Sequence, residues 1–420
     1  MEYFEIKGGK RLKGTIEARG SKNATTPILA ATLLTREKCV ISNVPLIEDV
    51  FRMIDILKSM GVEVNWKGTR TLEIKAEKVN PEKMDFKAVK KMRSSILLLG
   101  ALSARLDKFK IPYPGGCVIG ARPLSTHFDA LSKLGVKIKT REKFYFVDSG
   151  NLHSANIVLE EFSVTGTENA MLLAAIIPGK TIIKIAATEP HVEDLARFLS
   201  QMGVRIKGIG THTLEIWGKK ELKGAKHKVI PDANEAATFL ILGVATKSPI
   251  IVKNALENNL DLVLEKLKEF GADFKIGADF IQVIPPKKIK AILKVDTRPY
   301  PGIPTDVQAP FGVLATQAEG STLIHDSLYE GRFNYIKEIQ KMGADAKILN
   351  VHQAQIIGPS KLKGKVIKSF DLRCGASLII AALLAEGKTV IEDIYQVDRG
   401  YERIEERLSA LGADIKRKKG

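Results

Sequence analysis

Six times along the chain an amphipathic, helix-length segment runs into an apolar residue, a glycine and a small or charged residue, then a short alternating stretch of β character. The copies read LKSMGVEV from Leu57, LSKLGVKI from Leu131, LSQMGVRI from Leu199, LKEFGADF from Leu267, IQKMGADA from Ile339 and LSALGADI from Leu408. Their glycines, Gly61, Gly135, Gly203, Gly271, Gly343 and Gly412, stand 74, 68, 68, 72 and 69 residues apart. Glycine at this point predicts a helix C′ position, where the backbone needs positive φ. Between the copies lie segments that are apolar on most sides and rich in small residues, at 24–34, 93–104, 168–177, 234–245, 307–318 and 373–385. A helix apolar all round is buried all round. A third piece, FEIKGGKRLKGTI, is echoed by LEIWGKKELKGAK and QIIGPSKLKGKVI and reads as strand, turn and strand. Each unit thus carries two helices and several strands in about seventy residues.

The chain opens on the strand-turn piece and stops at GADIKRKKG, where the next such piece is due. This displacement predicts cyclic closure, with the N-terminal strand completing the C-terminal half. The expected domains are 22–230, carrying a catalytic loop at 112–122, and 1–21 plus 231–420, with three units in each. A solenoid is the other architecture that such periods build. Long, strand-bearing units with unlike loops favour two closed domains around one asymmetric site. The fold class read from the pattern is α/β, with buried helices inside and sheets outside.

Composition changes this picture little. With 420 residues, 45% hydrophobic and 27% charged, the chain has the makeup of a soluble two-domain protein. No apolar stretch reaches the length of a membrane span, and MEYFEIKGGK lacks the apolar core of a secretory signal. Three cysteines, Cys39, Cys117 and Cys374, make no disulfide framework, and a reducing cytoplasm is expected. The net charge of +17 is spread along the chain, with one dense run at the tail. Without aromatic RNA-binding strings or finger spacings it reads as a lysine-rich surface rather than a nucleic-acid site.

The candidate chemistry lies near unit junctions. Gly20-Ser21-Lys22-Asn23 precedes a buried-type helix, and a lysine at a helix start suits a phosphate. A solvated lysine beside a cap is the plainer account, and the spacing rules out a P-loop. Cys117 follows Gly115 and Gly116 in PYPGGCVIGARPLSTH, with Arg122 five residues on. A nearby cation lowers a thiol pKa, whereas most lone cysteines are inert core. Cys39 in CVISNV reads as core, and Cys374 as packing at a helix start. Asp306 in PYPGIPTDV and Asp371 in SFDLRC stand at helix starts, where capping is the plainer reading of each. Arg332 and Arg399 are loop arginines among aromatics, where surface ion pairing is the plainer reading. Taken together these residues describe an anion site with a general base. No His/Cys/carboxylate group has metal-ligand spacing, so no metal and no cofactor is expected.

The strings GSKNATTPIL, MRSSILLLGAL, PGGCVIGARP, PTDVQA, GRF, DLRCGASLIIA and DRGYERI closely resemble the UDP-N-acetylglucosamine 1-carboxyvinyltransferases, a branch of the enolpyruvyl transferase family. The likeness runs over nearly the whole chain, and PGGC-x-IGARP and DRGYERIE are its most specific parts. It implies an inside-out α/β fold and transfer of the enolpyruvyl group of phosphoenolpyruvate to the 3-hydroxyl of UDP-N-acetylglucosamine. That reaction releases phosphate and is the first committed step of peptidoglycan precursor synthesis.

Carried over residue by residue, the resemblance makes Lys22, Asn23, Arg122 and Arg399 the phosphate binders and Arg332 and Arg373 the carboxylate binders for phosphoenolpyruvate. Arg93, Arg122, Pro123, Leu124, Ser125, Thr126, Ser163, Val164, Thr165, Gly166, Asp306 and Leu328 would hold the nucleotide sugar. Asp306 would take the proton of the 3-hydroxyl. Cys117 would protonate the methylene carbon and carry the covalent adduct, and Asp371 would assist the later deprotonation. The partners implied are these two small molecules, with no nucleic acid and no membrane insertion. The chain departs from the family at Ser125, where some relatives carry an acid, and at Val164-Thr165-Gly166-Thr167, in place of Ser-Val-Gly-Ala. A shikimate-type enolpyruvyl transferase and a non-catalytic nucleotide-sugar binder are the alternative functions.

Overall fold

The computed structural model describes residues 2–116, 120 and 122–420. All six repeat glycines have positive φ, between 90° and 101°. At each, the residue after the glycine donates its N–H to the carbonyl five positions back, as Val62 does to Leu57 and Ala413 to Leu408, both at 3.1 Å. This is the Schellman closure, and it turns each amphipathic helix sharply into the strand that follows.

Two compact units emerge, one of residues 20–116 and 122–230, the other mainly of residues 1–19 and 231–420. Among the described residues the strands form six sheets. In the first unit they are built around Lys38–Ser42, Phe144–Asp148 and Gly179–Lys184, and in the second around Glu2–Lys7, Ile250–Lys253 and Gly320–Asp326. Each sheet covers buried helices. Lys22–Ala31, Leu98–Ser103 and Val164–Ala174 serve the first unit. Ala233–Ala245, Gln308–Ala315 and Leu372–Leu384 serve the second. Their small side chains let helices approach closely. A Cβ added at Gly100 would lie 2.5 Å from the Asn169 carbonyl oxygen, so only glycine fits where Leu98–Ser103 meets Val164–Ala174.

The displaced first strand lies where the repeat requires it. Glu2–Lys7 pairs antiparallel with Lys388–Glu392 on one side (Phe4 opposite Ile391) and with Asp414–Lys419 on the other (Phe4 opposite Arg417). The other unit closes on itself too, with Lys226–Lys228 pairing parallel to Lys38–Ser42. Cys39 is fully buried in that strand and Cys374 is buried in the first turn of Leu372–Leu384. Cys117 lies outside the described residues.

Candidate active site

In the second unit Asp306, Asp371 and Arg373 stand at the N-terminal ends of two of its three buried helices, and Asp232 and Asn234 stand at the third. Asp232 caps Ala233–Ala245 by accepting from the Glu235 N–H, and Asn234 follows in the first turn. Asp306 sits in the 3₁₀ turn Thr305–Val307 that leads into Gln308–Ala315. Its side chain makes no cap. One carboxylate oxygen accepts from Arg332 Nη2 at 2.9 Å. The other accepts from Arg373 Nε at 3.1 Å and from Asn234 Nδ2 at 3.4 Å. Arg373 Nη2 also lies 4.0 Å from Asp232. Three helix starts are thereby tied together by one carboxylate and one guanidinium.

Asp371 behaves otherwise. Its Oδ1 caps Leu372–Leu384 by accepting from the N–H groups of Arg373 (2.8 Å) and Cys374 (2.9 Å), which leaves Oδ2 outside the cap.

Arg373 is 2% exposed and packs over the Tyr401 ring at 5.3 Å. Burial alone would push a guanidinium toward losing its charge. Here Tyr401, Asp306 and Asp232 outweigh it, and the pKa stays well above the ordinary value. Arg332 is raised in the same way, with Asp306 and Asp371 overcoming its desolvation, and it stacks on Tyr329 at 5.3 Å. Arg399 is buried just after the short helix Tyr395–Asp398 and donates to Gln396 Oε1 at 3.1 Å. Leu328 is exposed, with its N–H donating to Asp326.

In the first unit Ser21 caps Lys22–Ala31, and Lys22 is the first helical residue. Its ammonium pairs with Asp49 at 3.3 Å. Asn23 follows, half-buried. Arg93 opens the 3₁₀ turn Arg93–Leu97 and donates to the Arg122 carbonyl at 2.6 Å, which joins two predicted substrate binders. Pro123 and Ser125 are exposed, while Leu124 and Thr126 are buried. Thr126 donates to Glu161 at 3.3 Å. Ser163 caps Val164–Ala174 through the Gly166 N–H at 3.3 Å, so Val164, Thr165 and Gly166 form its first turn. Anions favour such helix starts, where N–H groups lack intrahelical partners.

The sequence reading passed over Asp49, Asp232, Asn234 and Tyr401. Repeat equivalence could have found Asp232 and Asn234, since Asp232 stands before a buried-type helix as Ser21 and Asp371 do, and Asn234 lies two residues on, as Asn23 does from Ser21. Asp49 and Tyr401 reach their partners only through tertiary packing. Among the described residues no group of three or more His, Cys, Asp or Glu side chains is placed to hold a metal ion. No described helix is long and apolar enough to cross a membrane.

Comparison with known proteins identifies the family and the fold. The family model of EPSP synthase (3-phosphoshikimate 1-carboxyvinyltransferase) matches residues 6–408. The UDP-N-acetylglucosamine 1-carboxyvinyltransferase of Koribacter versatilis is 41% identical over 421 residues, covering 99% of this chain and 96% of that protein. The protein of that name from Campylobacter hominis is 42% identical, with 99% of each covered. Among solved structures, the enolpyruvyl transferase NikO from Streptomyces tendae has a TM-score of 0.89 at 24% identity, covering 100% of this chain and 99% of its own. EPSP synthase from Acinetobacter baumannii has a TM-score of 0.73 at 19% identity, with 100% of both covered. These two establish the shared fold. With a family model spanning residues 6–408 and relatives at 41% identity end to end, the chain belongs to the EPSP synthase family of enolpyruvyl transferases, in its UDP-N-acetylglucosamine 1-carboxyvinyltransferase branch.

Proposed function

We propose that this chain transfers the enolpyruvyl group of phosphoenolpyruvate to the 3-hydroxyl of UDP-N-acetylglucosamine, releasing phosphate, as a cytoplasmic enzyme of peptidoglycan precursor synthesis. The observation that carries the reading is the Asp306 carboxylate held by Arg332 and Arg373, in a chain collinear with enzymes named for this reaction. Phosphoenolpyruvate brings a carboxylate of its own, which competes with Asp306 for the same two guanidinium forks. Binding it frees Asp306 to accept the proton of the sugar 3-hydroxyl.

The hydroxyl oxygen then bonds to C2 of phosphoenolpyruvate while Cys117 gives a proton to C3, producing a tetrahedral intermediate. A proton leaves C3, assisted by Asp371, the C2–O bond to phosphate breaks, and the enol ether remains. Lys22, Arg122 and Arg399 balance the phosphate charge through both steps, with Asn23 a hydrogen-bond donor beside them. Arg93, Arg122 to Thr126, Ser163 to Gly166 and Leu328 hold the nucleotide sugar.

Treatment with the epoxide fosfomycin followed by peptide mass spectrometry tests the acid. Label is expected on Cys117, with loss of turnover in Cys117→Ser and partial turnover in Cys117→Asp. Label on Cys39 or Cys374 instead, or a fully active Cys117→Ser, would remove Cys117 from the mechanism.

A further inference from the structure

A hydrogen-bond chain running to the first turn of Val164–Ala174 has its direction dictated by the backbone. The Asn169 amide oxygen accepts from the Gly100 N–H at 2.8 Å, and its amide nitrogen donates to the Ile96 carbonyl at 3.2 Å. Turning the amide over would set N–H₂ against N–H and oxygen against oxygen, so these two groups fix which end is which. The same amide nitrogen lies 2.9 Å from His127 Nδ1. An amide nitrogen only donates, so Nδ1 accepts and carries no proton. The proton of the neutral ring therefore sits on Nε2, 3.1 Å from Thr165 Oγ1. A charged ring would point a second N–H at the Asn169 donor. Burial first, and Arg93 nearby, push the His127 pKa down to about 3.

Thr165 thus accepts from His127, and its own proton must go elsewhere. Thr167 returns its hydroxyl proton to the Ser163 carbonyl at 2.8 Å, four residues back. Among the described residues Thr165 makes no such bond, and it is half-buried on the first turn of a capped helix.

We propose that Asn169 and His127 hold Thr165 as an obligate hydroxyl donor to an anionic oxygen of the nucleotide-sugar diphosphate. This rests on the reading of Ser163 to Gly166 as part of the nucleotide-sugar site. A diphosphate suits the position because the helix start and nearby Arg93 both favour negative charge. Thr165 becomes a specificity-determining residue, and His127 and Asn169 are positioning residues that touch no substrate.

Two measurements test this. In ¹⁵N-histidine spectra of the full chain, with His127 assigned by its loss in His127→Gln, the ring should be neutral and protonated on Nε2 from pH 8 to pH 5. A ring protonated on Nδ1, or charged at neutral pH, overturns the inference and leaves the proposed reaction standing. In calorimetry, Thr165→Val should weaken UDP-N-acetylglucosamine and UDP by about tenfold each, as loss of a bond to a charged oxygen does. Uridine binding should be unaltered, Thr165→Ser should restore affinity, and the loss should appear in KM for the nucleotide sugar more than in kcat. Equal affinity in Thr165→Val, or a loss that Thr165→Ser does not repair, overturns the donor role. If the unaltered protein binds neither UDP-N-acetylglucosamine nor UDP, the proposed function fails and this inference fails with it.

Discussion

Asp306 and Arg373 meet at 3.1 Å across two helix starts that are 67 residues apart in sequence. The contact makes one carboxylate serve two purposes. In the free protein it is the counter-charge of a buried guanidinium, and in the reaction it is the proposed base. Removing one partner of such a buried pair is costly, because it strands the other charge. The function of the pair therefore has to be read from variants that keep its shape.

Asp306→Asn keeps the shape and removes the proton acceptor. The nucleotide sugar should still bind, while kcat falls by about a hundredfold or more, as for a lost general base. Steady-state kinetics alongside calorimetric binding separates the two effects. Turnover close to that of the unaltered protein would return Asp306 to a structural role.

Glu168 provides a pH test outside the chemistry. It is 1% exposed within Val164–Ala174, and its Oε1 meets no hydrogen-bond partner among the described residues. Burial first, and repulsion from Glu189 second, raise its pKa well above the ordinary 4.5. A raised folded pKa gives a stability contribution that is complete below the unfolded value and lost as pH climbs toward the folded one. Glu168→Gln, which cannot ionise, should therefore raise the melting temperature by about 2–4 °C at pH 8 and leave it unchanged near pH 4. Calorimetric scans at the two pH values decide it, and equal shifts at both would contradict the assignment.

His127 has the opposite sign. Its folded pKa of about 3 lies below the unfolded 6.5, so the unfolded chain binds the extra proton between these values and stability falls as pH drops through that window. Two pH units below 6.5 correspond to about 2.7 kcal/mol. Urea unfolding at pH 7.5 and pH 4.5 should show a smaller acid loss for His127→Gln than for the unaltered protein, by roughly that amount. Identical losses would mean the ring is not held neutral.

The repeat was legible because its physics is local. A glycine at C′ and an all-apolar helix announce themselves in a few residues, and the six positive-φ glycines and six sheets follow from them. Pairing of Glu2–Lys7 with the last strands was also legible, through the displaced strand-turn piece. Asp306 and Asp371 were not separable, since both are aspartates before a buried helix. Only the arrival of Arg332 and Arg373 in space makes one an ion-pair partner, while the other caps its helix. The Lys22–Asp49 pair and the Asn169–His127–Thr165 chain were invisible for the same reason. Their members are polar residues of ordinary spacing, and geometry alone connects them.

The identity of the acceptor is decided by measuring phosphate release. Protein mixed with phosphoenolpyruvate and UDP-N-acetylglucosamine should liberate inorganic phosphate and yield a nucleotide sugar heavier by one enolpyruvyl group in place of a hydrogen. With shikimate 3-phosphate as the acceptor, release should stay at the level seen with phosphoenolpyruvate alone. Phosphate release with shikimate 3-phosphate and none with the nucleotide sugar would contradict the account.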